Sequence, residues 1–110
     1  MERNRTYVGI DLGGTSIQTA AVRDGEVLAE EKTKTKAELG PDGVIERIAQ
    51  TVRAVREELD DPQDVAGICI GAPGTFDAAT GLVRTAPNLG WTNVPLAERL
   101  TAAVGLPVVV

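Results

Sequence analysis

The sequence contains no histidine and a single cysteine. That removes the parts from which most zinc sites, Ser-His-Asp triads and internal disulfides are made. Positive charge is in deficit, with 11 basic against 16 acidic residues and a net charge of −5. No basic cluster stands out, so nucleic acid is excluded as an expected partner. No apolar run approaches the roughly 20 residues that span a bilayer. The polar start Met1-Glu2-Arg3-Asn4-Arg5-Thr6 leads directly into an apolar stretch without a secretory h-region. A reducing cytoplasm is the expected location, with no membrane partner. What is left, in 110 residues, is one domain with room for a core.

The stretch Tyr7-Val8-Gly9-Ile10-Asp11-Leu12-Gly13-Gly14-Thr15 organises that domain. Its aliphatic, β-branched and aromatic residues form a run too short for a helix, and predict a buried strand. Asp11 then sits near the strand's exit. Gly13 and Gly14 follow, free to take positive φ and to let another molecule approach bare backbone. Amides at such a turn can converge on an anion, and a carboxylate beside them can hold hydrated Mg²⁺. Walker loops and dinucleotide fingerprints need a helix after the glycines. Here Ser16 to Val22 is short and β-prone, and ends at Arg23-Asp24-Gly25-Glu26, a hairpin signal. The element reads as strand, glycine turn, strand.

The third strand is expected over residues 26–36, with Lys32, Lys34 and Lys36 on the solvated face of an edge. Gly40-Pro41-Asp42-Gly43 opens a helix, and Val44, Ile45, Ile48, Val52, Val55 and Leu59 form its apolar stripe. It stops at Asp60-Asp61-Pro62. Val65 to Gly71 reads as a strand covered on both faces, parallel to the first, with Cys69 a small buried thiol. Gly71 to Thr75 then shares a sheet end with Asp11. Phe76 to Val83 predicts a short hairpin, and Thr85-Ala86-Pro87-Asn88-Leu89-Gly90-Trp91 an irregular loop. Asn88 offers a donor and an acceptor suited to sugar hydroxyls, or else caps its own turn. A second helix is expected to start at Asn93-Val94-Pro95, and Leu106 to Val110 to form a last strand.

Gly9-Ile10-Asp11-Leu12-Gly13-Gly14-Thr15 resembles the first phosphate motif of the actin, hexokinase and heat-shock-chaperone ATPase superfamily. It is most similar to the ROK family of sugar kinases. The resemblance implies ATP as cofactor, with Gly13, Gly14 and Thr15 near its phosphates and Asp11 holding Mg²⁺ through water. Gly71-Ala72-Pro73-Gly74, Gly81-Leu82-Val83, Ala86-Pro87-Asn88-Leu89, Trp91 and Val94-Pro95-Leu96 resemble the family's sugar-side segment. Gly74 and Asn88 are thereby implied to border the hexose, with glucose the expected sugar. One departure is Gln18, where family members often carry Lys or Arg.

The implied fold is α/β, a ribonuclease-H-like lobe of the actin-like ATPase kind. It has a five-stranded mixed sheet of order 3-2-1-4-5, two crossover helices, and residues 1–110 as a single N-terminal lobe without the second lobe. In ROK kinases the last strand runs on into Asn-Asp-x-Asn, whose Asp is the general base. No residue here matches it, so no catalytic residue is expected within the chain. A glucokinase-like parent and a nearly inactive isolated chain are the expectation. Two alternatives differ in class. A sugar-responsive ROK regulator needs a DNA-reading module, and six residues precede Tyr7. A non-catalytic, self-associating domain would bury an uncovered apolar face between copies, and a homo-oligomer is expected.

Overall fold

The computed structural model describes residues 5–110, so residues 1–4 of the polar start lie outside the described residues. Strands β1 (Tyr7–Leu12), β2 (Ser16–Arg23) and β3 (Glu26–Lys34) form an antiparallel meander. Period-two alternation puts Val8, Ile10 and Leu12 of β1, and Ile17, Thr19 and Ala21 of β2, on one buried face. Asp24 and Gly25 join β2 to β3 with φ of 53° and 79°. Positive φ at both positions is what a two-residue hairpin needs, since it matches the strands' right-handed twist.

The chain then crosses the sheet as helix α1 (Gly40–Glu57), with Pro41 in its first turn. Val44, Ile45, Ile48, Val52 and Val55 recur at helical spacing and are all buried. Each such side chain contributes about 1.5–3 kcal/mol relative to exposure. A buried hydroxyl pair, Thr19 Oγ1 and Thr51 Oγ1 at 2.8 Å, ties α1 to β2. Strand β4 (Gly67–Gly71) returns parallel to β1, with Tyr7 opposite Gly67 and Asp11 opposite Gly71. A second sheet follows, the meander β5 (Thr75–Asp77), β6 (Leu82–Ala86) and β7 (Trp91–Pro95). Helix α2 (Leu96–Val104) packs beside α1, and β8 (Val108–Val109) pairs parallel with β4. The main sheet runs β3-β2-β1-β4-β8, the expected order with β8 in fifth place.

Four expectations are corrected. Residues 85–91 are not an irregular loop, because β6 runs to Ala86 and a single 3-10 turn, Pro87–Leu89, connects it to β7. The second helix starts at Leu96, since Trp91 and Val94 are buried against β6 in the β7 ladder, and Asn93 bends that strand with φ 51°. The third strand ends at Lys34, where the chain turns inward at Thr35 and takes a left-handed step at Lys36, φ 54°. Cys69 is exposed rather than buried. Both helices lie on the face of Ile68 and Ile70, and Cys69 points to the opposite face with Gly9, Asp11 and Gln18, all exposed. The strand is covered on one side only. Lys32 and Lys34 are exposed along the β3 edge as expected, and Lys36 is exposed beyond the strand's end.

Candidate functional site

The turn between β1 and β2 is closed by a bond from the Gly13 amide to the Ser16 carbonyl at 2.9 Å. Two more bonds hold it from behind. The Thr35 hydroxyl donates to the Gly13 carbonyl at 2.7 Å, and the Thr35 amide donates to the Thr15 carbonyl at 2.9 Å. Thr35 is completely buried. Gly13 and Gly14 do not take positive φ, which corrects the first of the two uses expected of them. Gly14 is needed for room: an added Cβ would stand 3.1 Å from the Cβ of Asn88.

Asn88 arrives there from the second sheet. It is exposed in the Pro87–Leu89 turn and makes no side-chain hydrogen bond among the described residues, so it does not cap its own turn. Gly74, in the loop after β4, has φ 87°, and an added Cβ would drive into the Thr85 carbonyl and lie 2.9 Å from the Ala86 Cα. Gly74 therefore clamps the loop after β4 against the end of β6, immediately before Pro87 and Asn88. Gly13, Gly14, Thr15, Gly74 and Asn88 thus gather on three adjoining loops.

Asp11 stands apart from that contact. It is exposed at the end of β1, flanked in register by Gln18 on β2 and Gly71 on β4, with Lys32 beyond Gln18 on β3. Gly9, Asp11, Gln18, Lys32, Cys69 and Gly71 help line an open depression of about 820 Å³ on the uncovered face. Among the described residues no three His, Cys, Asp or Glu side chains cluster to hold a metal. A single exposed carboxylate fits hydrated Mg²⁺, which keeps most of its waters and shares its remaining ligands with a phosphate. It does not fit a dehydrated, all-protein site.

Two features escape the sequence reading. Thr35 looks like one more residue of the Lys-Thr alternation, and its role shows only once β3 is placed beside the turn. Trp91 is buried, and among the described residues its indole N–H has no partner, although buried indoles usually find one.

The ROK family model matches residues 7–110. The chain is 38% identical over 100 residues to a glucokinase of Thermotoga maritima, covering 89% of this chain and 30% of that protein. It is 32% identical over 105 residues to a xylose repressor of Caldicellulosiruptor bescii, covering 94% of this chain and 26% of that protein. A ROK glucokinase from Streptomyces griseus, solved with glucose and AMPPNP, superposes with a TM-score of 0.85 at 34% identity, over 96% of this chain and 32% of that one. The chain spans about a third of the length of the relatives it matches. Matched from β1 through β8, it belongs to the ROK family.

Proposed function

We propose that this chain carries the phosphate-binding turn and part of the sugar-binding surface of an ATP-dependent hexose kinase, glucokinase-like, with glucose as its substrate. The observation that carries this reading is the contact of Gly14 with Asn88. It sets a bare backbone turn suited to phosphate beside an unengaged amide suited to a hydroxyl. Phosphoryl transfer is mostly a matter of positioning and charge stabilisation, so adjacency of the two sites is its first requirement. In this reading the amides of Gly14 and Thr15 hold nucleotide oxygens and Asn88 orients the sugar. Asp11 holds hydrated Mg²⁺, which offsets phosphate charge. The glucokinase relatives and the Streptomyces griseus structure support both ligands.

The isolated chain is expected to transfer phosphate poorly. Loss of a general base typically costs about 10²- to 10⁴-fold, and no residue of this chain is assigned that role. A coupled ADP-release assay with glucose, ATP and Mg²⁺ tests both parts. Weak transfer specific to glucose supports the reading, whereas turnover at an intact kinase's rate refutes the missing base. The xylose repressor relative favours a second reading, sugar sensing without transfer. Calorimetric sugar binding with no nucleotide binding, in this chain and in any longer polypeptide containing it, would select that one.

A further inference from the structure

We propose that Thr35 is the positioning residue of the β1–β2 turn, aiming the turn's amides at an anion by holding its carbonyls inward. The inference rests on the reading that this turn takes nucleotide phosphate. A trans peptide is planar, so the N–H of one residue points opposite to the C=O of the residue before it. The Gly13 carbonyl is held by the Thr35 hydroxyl at 2.7 Å and the Thr15 carbonyl by the Thr35 amide at 2.9 Å. The N–H group of Gly14 must therefore point away from Thr35. Thr35 is fully buried while Gly14 is half-buried and Thr15 exposed, so away from Thr35 is toward solvent. Neither the Gly14 nor the Thr15 amide donates to a backbone carbonyl among the described residues. Successive free amides on one side of a tight turn make a concavity for a negatively charged oxygen.

Thr35 is itself held in place. Arg47 of α1 donates from Nε to the Lys34 carbonyl at 2.7 Å and from Nη2 to the Thr33 hydroxyl at 2.8 Å, which fixes the end of β3. The left-handed step at Lys36 then leads the chain away, leaving Thr35 as the last residue alongside the turn. A side-chain donor is needed because the Gly13 carbonyl accepts from no backbone amide among the described residues. Without the hydroxyl, that carbonyl turns toward water and carries the Gly14 N–H inward with its peptide plane.

The test uses amide NMR spectra of the chain titrated with magnesium pyrophosphate, for wild type, Thr35→Val and Thr35→Ser. Val preserves the shape and removes the donor, while Ser restores the donor. The expected result is a shift of the Gly14 and Thr15 resonances in wild type and Thr35→Ser. Affinity in Thr35→Val should fall about tenfold, the loss of roughly one hydrogen bond, with Val8 and Ile68 resonances unchanged. Wild-type affinity in Thr35→Val overturns the proposal and leaves the kinase reading standing. Intact pyrophosphate shifts with no sugar binding would sink the kinase reading and leave Thr35 in its role. Should Thr35→Val not fold, the wild-type map decides: Gly14 and Thr15 unmoved by pyrophosphate overturns it.

Discussion

Gly14 and Asn88 meet where the glycine has no side chain, the glycine's missing Cβ position being 3.1 Å from the asparagine Cβ. The turn that follows the first strand and the turn that joins the second sheet are thereby held in van der Waals contact. Gly14→Ala asks Asn88 to yield by a few tenths of an ångström, and Gly14→Val asks for more than the neighbouring backbone can give. The expected outcome is graded loss of glucose affinity, mild for Ala and about tenfold or more for Val. The overpacking cost in stability should stay at about 1–3 kcal/mol. Calorimetric titration alongside urea denaturation separates the two effects.

Gly74 and Gly90 both take positive φ, 87° and 69°, but only Gly74 is hemmed in by backbone, while nothing lies within 4 Å of a Cβ on Gly90. Gly90→Ala should cost only the left-handed penalty of about 1–2 kcal/mol. Gly74→Ala adds a backbone collision and is expected to cost upward of about 3 kcal/mol. Urea midpoints for the pair check the difference, and equal midpoints would refute the clamp.

Asn88 is exposed, and its side chain is bonded to nothing among the described residues. Asn88→Ala should therefore leave stability within about 0.5 kcal/mol of wild type. Removal of a donor and an acceptor from a sugar site should weaken glucose binding by about tenfold or more. Binding isotherms at matched thermal stability test this, and unchanged glucose affinity would remove Asn88 from the sugar site.

Asp11→Asn keeps the shape at the β1 exit and removes the charge that hydrated Mg²⁺ requires. ATP affinity should fall about tenfold in Mg²⁺, while in a chelator the variant and wild type should bind nucleotide alike. A variant that loses affinity equally with and without Mg²⁺ would show that Asp11 contacts the nucleotide by another route.

The main sheet was legible because each strand announces its buried face. Val8, Ile10 and Leu12 alternate, Ile17 to Ala21 answer them, and the α1 stripe from Val44 to Val55 supplies the crossover. The candidate loops were legible from Asp11-Leu12-Gly13-Gly14-Thr15 and Pro87-Asn88 because turns use few residue types. What failed depended on pairing that local sequence does not contain. Trp91 to Val94 becomes a strand only because β6 lies beside it, and Pro95 marks the boundary before α2 rather than the helix start itself. Of the two uses expected of Gly14, positive φ and close approach, the structure shows the second and not the first. Thr35 could not be read at all, because its use depends on the register between β3 and the turn.

The exposed Cys69 gives the protein a chemical handle of its own. It stands opposite Gly9 in the β1–β4 register, one step along the face from Asp11 and Gly71, and it is the chain's single thiol. A maleimide dye will attach there once, with no substitution needed. Its emission will then report any molecule or polypeptide that settles over the Asp11 side of the sheet.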